Sequence, residues 1–196
     1  MSDPVPNPTK RQKRKLRAHF GFSKLPFNKS MWASQMYDSE SQRELQHGLE
    51  MWTEVAGFAL VTGHSGVGKS ISLRSFVANL DESRFTVVSF TYLPTTVSGF
   101  LRSLARALGL KMHRHGADLF DAARAHLTAH ETDRVTHPII ILDDAEGLSI
   151  DILDVLRRLT TSDLDAEDRF SILLAGTDDI STVLRHPSLE SLRSRI

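Results

Sequence analysis

Eight residues, Gly63-His64-Ser65-Gly66-Val67-Gly68-Lys69-Ser70, match the pattern G-x-x-x-x-G-K-[ST] without a mismatch. Gly63, Gly66 and Gly68 let the backbone turn its N–H groups toward a phosphate with no side chain in the way. A helix starting at Lys69 adds its positive N-terminal end. Lys69 is then in reach of β- and γ-phosphates, and the Ser70 hydroxyl is a ligand for Mg²⁺. Glycine-rich turns also arise by chance. Here the apolar run GFALVTG stands directly before the loop and a helical pattern directly after it, the context that the phosphate-binding reading requires.

The run IIILDD (139–144) supplies a second half. Its apolar residues bury a strand and deliver Asp143 at the carboxyl end, where open parallel sheets bind ligands and where a carboxylate holds a metal ion through water. Asp144 follows, at the place of a water-activating carboxylate. Many strands end in Asp, so this run is informative only because it lies downstream of a phosphate loop.

The elements that must carry these residues are legible as periodicities. A helix is expected from Ser39, with Leu45, Leu49, Trp52 and Val55 on one face. After the loop, Ile71, Leu73, Phe76, Val77 and Leu80 mark a second. Residues 85–92 read as a strand. Residues 97–108 read as a helix, with Val97, Leu101, Leu104 and Leu108 inward and Gly109 as its stop. A helix over about 118–130, the strand ending at Asp143, a helix capped by Ser149, a strand over 170–176 and two short helical pieces around Pro187 complete the chain. Strands that are continuous apolar runs, alternating with helices, make an α/β fold with a parallel sheet covered on both faces.

Composition sets bounds on the rest. The 196 residues are 40% hydrophobic and 24% charged, with no cysteine, which excludes a disulfide framework and thiolate metal sites. No apolar run approaches bilayer length, and the N-terminus lacks a secretory core. The nine histidines are scattered without metal-ligand spacing. Formal net charge is zero but uneven: residues 1–37 hold eight basic residues against Asp3, a charge of +7, leaving −7 on the remainder. Six of the eight are Lys10, Arg11, Lys13, Arg14, Lys15 and Arg17. Such an arm on an acidic body suggests a polyanion partner, although charge runs are also often only solvated tails. With its three prolines, MSDPVPNPT reads as disordered, so residues 1–18 are expected to be a disordered basic arm and 19–196 the folded core, with HFGFSKLPFNKS packed onto it. Arg102 and Arg106, four apart on the outer face of a helix, are weaker DNA candidates.

The chain resembles the AAA+ ATPases, in particular the group containing ExeA of type II secretion and the transposition regulators TniB and TnsC. HFGFSKLPF resembles that group's entry segment, VTGHSGVGKS its phosphate loop, LDDAEGLS its second motif, LLAGTDDI its fourth-strand segment and SLESLRSRI the run into its arginine-finger box. The resemblance implies a P-loop NTPase core with three αβα layers, binding ATP through Gly63, His64, Ser65, Gly66, Val67, Gly68, Lys69 and Ser70. It implies Mg²⁺ held by Ser70 and Asp143, Thr177 as a polar group at the γ-phosphate, and Arg195 reaching a neighbouring subunit's nucleotide. Arg195 reads equally well as a solvated surface arginine. Two departures stand out. The group usually has Glu at the position of Asp144, one methylene longer, and Gln at Glu146, so Glu146 is not assigned the water-positioning role. The fifth strand and helical lid of the module do not appear before Ile196, so the chain reads as incomplete at its C-terminus.

Three functions follow as expectations. The first is a slow ATPase that assembles as a ring or filament on double-stranded DNA and regulates transposition, recruiting a transposase or integrase. The second is a secretion-type ATPase resembling ExeA. The third is a nucleotide switch with vestigial hydrolysis. The basic arm favours the first, with a cytoplasmic location and no membrane partner expected.

Overall fold

The computed structural model describes residues 9–22, 39–90, 92–129, 136–160 and 169–196. The chain divides into two compact units, Met1–Tyr37 and Asp38–Ile196.

In the first unit, α1 (Lys10–Phe20) replaces the disorder expected there. Three like-charged i,i+4 pairs, Lys10/Arg14, Arg11/Lys15 and Lys13/Arg17, oppose this helix by roughly 0.2–0.5 kcal/mol each. Its ends offset them. The Thr9 hydroxyl accepts from the Gln12 N–H, and the Gln12 side chain accepts from the Thr9 N–H at 2.7 Å. This reciprocal cap is of the size of about 1 kcal/mol. Gly21 closes the other end at φ +66°. Phe20 stacks on Phe22 with ring centroids 5.5 Å apart. The rest of HFGFSKLPFNKS and residues 1–8 lie outside the described residues, and with them the expected packing of that segment.

In the second unit, the strands are β1 (Phe58–Thr62), β2 (Phe85–Phe90), β3 (His137–Leu142) and β4 (Ser171–Gly176). They pair in the order β1-β4-β3-β2, every pair parallel. The helices are α2 (Glu40–Val55), α3 (Lys69–Asn79), α4 (Val97–Ala107), α5 (Gly116–Leu127), α6 (Ile150–Leu159), α7 (Asp179–Leu184) and α8 (Glu190–Arg193). Because side chains alternate along a strand, each strand feeds two cores. Val61, Ile139, Ile141, Leu173 and Ala175 join Leu49, Trp52, Leu73 and Phe76 of α2 and α3. Phe58, Ile140, Leu142, Ile172 and Leu174 join α4, α5, α6 and the C-terminal helices on the opposite face. The result is the expected three-layer αβα sandwich.

Element ends differ from the periodicity in small ways. The second strand stops at Phe90, and Tyr92 is exposed. The helix expected over 118–130 begins at Gly116 and ends at Leu127. Val55 is 79% exposed rather than inward. Two successive three-residue steps, from Leu49 to Trp52 to Val55, carry it about 120° around the helix from Leu49. Ile71 likewise faces outward. Among the described residues no helix is long and apolar enough to cross a membrane.

Candidate active site at the carboxyl edge of the sheet

Parallel pairing brings the carboxyl ends of β1, β4 and β3 side by side, with β4 in the middle. Thr62, the residue before the loop, pairs with Gly176 at the end of β4. The phosphate loop (63–68), Asp143 and Thr177 therefore emerge from three adjacent strands along one edge. Three stretches far apart in sequence meet there only because the sheet order interleaves them.

The loop has the form a bound anion needs. Gly66 and Gly68 sit at φ +85° and +101°, where a side chain is strained, and no atom lies within 4 Å of where a Cβ would stand on either. Gly68 is the N-cap of α3, so the helix begins at Lys69 as expected. The Lys69 ammonium folds over the loop and donates to the carbonyls of Gly63 at 2.6 Å and His64 at 3.1 Å. A cation in the first turn opposes the helix dipole by about 0.3–1 kcal/mol. Its placement is therefore unfavourable for the helix alone and suited to an anion on the loop. Ser65 and Val67 are exposed at the loop's tip. His64 lies 3.5 Å from Asp178, an exposed pair that adds little stability.

Asp143 follows β3, and its side chain accepts from the Asp144 N–H at 3.1 Å while its own N–H reaches Phe90 O. Asp144 adopts φ +55°, ψ +39°. Asp and Asn tolerate this left-handed conformation better than most side chains. It lets the chain turn sharply into a 3₁₀ turn at Ala145–Gly147, which Ala145 anchors in the core. Asp144 itself is exposed. Among the described residues no group of three His, Asp or Glu side chains is placed to hold a metal ion. The hydroxyl of Ser70 and the carboxylate of Asp143 are, however, the hard oxygen donors that Mg²⁺ takes beside a phosphate.

The conformation of Asp144 separates stability from turnover. On the water-positioning role, Asp144→Asn is expected to keep its melting temperature, since Asn also accepts this conformation, while steady-state turnover falls on the order of 10²-fold. Asp144→Glu should lose about 1 kcal/mol of stability to left-handed strain yet hydrolyse faster through its longer reach. An Asn variant as fast as the parent removes this carboxylate from the chemistry.

Thr177 begins the turn after β4. Its hydroxyl oxygen is buried and has no hydrogen-bond partner among the described residues. Its backbone N–H donates to Glu146 Oε2 at 3.1 Å. The sequence places Glu146 within the LDDAEGLS motif but does not show its reach to Thr177. Arg195 stands apart from this edge. Its guanidinium donates to the Thr160 hydroxyl at 3.1 Å, at the C-cap of α6. That helix runs back from the carboxyl edge over ten residues, about 15 Å. Arg102 and Arg106 are exposed on α4, opposite the buried Phe100, Leu101, Leu104 and Ala105.

Comparison with known proteins agrees with this architecture. The chain is 29% identical over 193 residues to General secretion pathway protein A of Aeromonas hydrophila, an alignment covering 90% of this chain and 32% of that protein. It thus spans about a third of that relative's length. Among solved structures it is similar to Cdc6p of Pyrobaculum aerophilum, with TM-score 0.55 and 22% identity over 91% of this chain and 48% of that one. It is also similar to the ORC2 protein of Aeropyrum pernix, with TM-score 0.58 and 16% identity over 87% and 47%. At such identities these two likenesses concern the fold. The family model described as "AAA domain" matches residues 53–184, from the last turn of α2 through α7. With the loop, the carboxyl-edge aspartates and the β1-β4-β3-β2 sheet all inside or beside that span, the chain belongs to the AAA domain family of AAA+ ATPases.

Proposed function

We propose that this chain binds and hydrolyses ATP, self-assembles when ATP is bound, and acts on double-stranded DNA as a regulator of transposition. The observation that carries the nucleotide part is Lys69, held over a glycine loop at the same sheet edge as Asp143. In this reading Gly63 to Ser70 cradle the phosphates, and the Lys69 ammonium exchanges its two carbonyl partners for phosphate oxygens. Mg²⁺ held by Ser70 and Asp143 would neutralise charge on the phosphates. Asp144 orients the attacking water, and Thr177 offers its hydroxyl near the γ-phosphate.

The assembly part rests on Arg195. A helix length separates it from its own loop, so its charge is useful to hydrolysis only beside a neighbour's phosphate. The DNA part rests on α1, whose basic residues are all exposed, with Arg102 and Arg106 as further phosphate contacts. A transposase or integrase is the partner this reading requires.

A second reading, a secretion-type ATPase without nucleic acid, is favoured by the likeness to General secretion pathway protein A. Sedimentation with ATP, ADP or no nucleotide, each with and without duplex, separates the two. The first reading expects larger species with ATP alone, carrying the duplex, and smaller species for Arg195→Ala. Assembly that never carries duplex favours the secretion-type reading. A monomer under every condition counts against assembly and the finger role.

A further inference from the structure

Glu146 is a carboxylate that the site as described does not use. It lies three residues after Asp143, in the 3₁₀ turn that leaves β3, yet it reaches across to the end of β4. Oε2 accepts from the Thr177 N–H at 3.1 Å. The same oxygen rests against the Cα of Gly176, where a methyl group would overlap it, and the Glu146 backbone N lies 3.3 Å from where that methyl would stand. The turn is anchored at both ends, because Ala145, its first residue, and Leu148, just after it, are buried in the core. The far side is equally fixed, because Gly176 pairs with Thr62 at the foot of the phosphate loop. Glu146 is therefore a brace between the segment carrying Asp143 and Asp144 and the strand end carrying Thr177.

The Thr177 hydroxyl shows why a brace is needed. A buried hydroxyl without a partner costs on the order of 1–3 kcal/mol, and a free turn would rotate it toward any available acceptor. Holding the backbone N–H of the same residue fixes the Cα from which that hydroxyl projects. At 3.1 Å the bond has ordinary length, and its partly buried setting makes it stronger than the same bond in water.

We propose that Glu146 is the positioning residue for hydrolysis, fixing Thr177 through its backbone N–H and setting the distance between the Asp144 turn and the end of β4. This assignment rests on the ATPase reading. It requires an acceptor oxygen at the reach of a glutamyl side chain and has no need of its negative charge. It also makes Gly176 obligatory, since any side chain there evicts the carboxylate.

The test uses the full chain with Glu146→Gln, Glu146→Asp and Glu146→Ala. Three quantities are read: Kd for a fluorescent ATP analogue, kcat and KM for Mg-ATP, and hydrogen exchange at the Thr177 amide. Nucleotide Kd should change little in all three, because no loop residue is touched. Glu146→Ala and Glu146→Asp should lower kcat by about tenfold to a hundredfold, the scale of misplacing a catalytic group by about 1 Å, with KM within a few-fold. Both should speed exchange at Thr177. Glu146→Gln keeps reach and acceptor and should rescue both turnover and protection. The opposite order, with Asp active and Gln inactive, would assign Glu146 to charge chemistry and overturn the positioning role. An Ala variant with parental kcat and parental exchange also overturns it. If Ala does not fold, the Gln-against-Asp comparison decides alone. A parent chain with no nucleotide binding sinks the ATPase reading itself, a result visible before any variant is made.

Discussion

Replacing Lys69 by alanine is expected to abolish tight nucleotide binding while leaving the fold intact. The ammonium spans the loop, 2.6 Å from Gly63 O and 3.1 Å from His64 O, at the first position of α3. With a triphosphate on the loop, its removal leaves phosphate charge unpaired. Truncating one partner of such a pair costs about 2–5 kcal/mol, which is roughly 30- to 4,000-fold in Kd. The stability effect is small: the lysine opposes the dipole of α3 while its two carbonyl bonds on the loop offset that, so the alanine variant should melt near the parental temperature. Isothermal titration with ATP, beside a melting curve of each protein, measures both. Parental affinity in Lys69→Ala removes the phosphate-loop assignment. Lost affinity together with a large fall in melting temperature would mean that the lysine is structural.

The second large effect concerns salt. Because α1 is a helix, its six cations are not equivalent. Lys10, Lys13, Arg14 and Arg17 recur at i, i+3, i+4 and i+7, which places them on one face, whereas Arg11 and Lys15 lie off it. A duplex meets one face at a time. Each phosphate contact adds about −0.9 to the slope of log affinity against log salt, so neutralising the four-residue face should flatten that slope by roughly 3 to 4. Neutralising Arg11 and Lys15 should do much less. The loss should be the same for unrelated duplexes, since phosphate contacts carry no base information. In an assembly many such faces act together, so ATP should raise the affinity. Fluorescence anisotropy at several salt concentrations reads all of this. Equal effects per charge for the two sets would mean that α1 binds as an unpatterned cationic segment. No binding in any nucleotide state would move the assignment to the secretion-type ATPase.

The fold was readable where one local rule decided it. Ser149 caps α6, the run at 139–142 could only be a buried strand, and the glycines of the loop fit only a tight turn. Val55 misled because it continues a spacing of three once too often. The helix of the first unit went unread behind a proline-rich start, although Thr9 and Gln12 stand at the spacing of a capping box. The three prolines just before it set the reading as a disordered arm, and the cap pair at its start was not weighed. Glu146 was unreadable for a different reason. Its partner lies 31 residues on, and the contact exists only because β4 inserts between β1 and β3. Its glycine neighbour at 176 looked like part of a strand-end motif rather than space reserved for a carboxylate.

The sheet order and the tether of Arg195 together give α6 an unusual position. Its first turn follows the Asp144 turn, and its last residue before the cap lies next to Thr160, which holds Arg195. In an assembly of the proposed kind, one stiff helix would end at this subunit's own γ-phosphate and, through Arg195, at its neighbour's. Releasing phosphate at one site would then shift the rod that serves the next, and the steepness of a dose-response curve for ATP would set a lower bound on the number of coupled subunits.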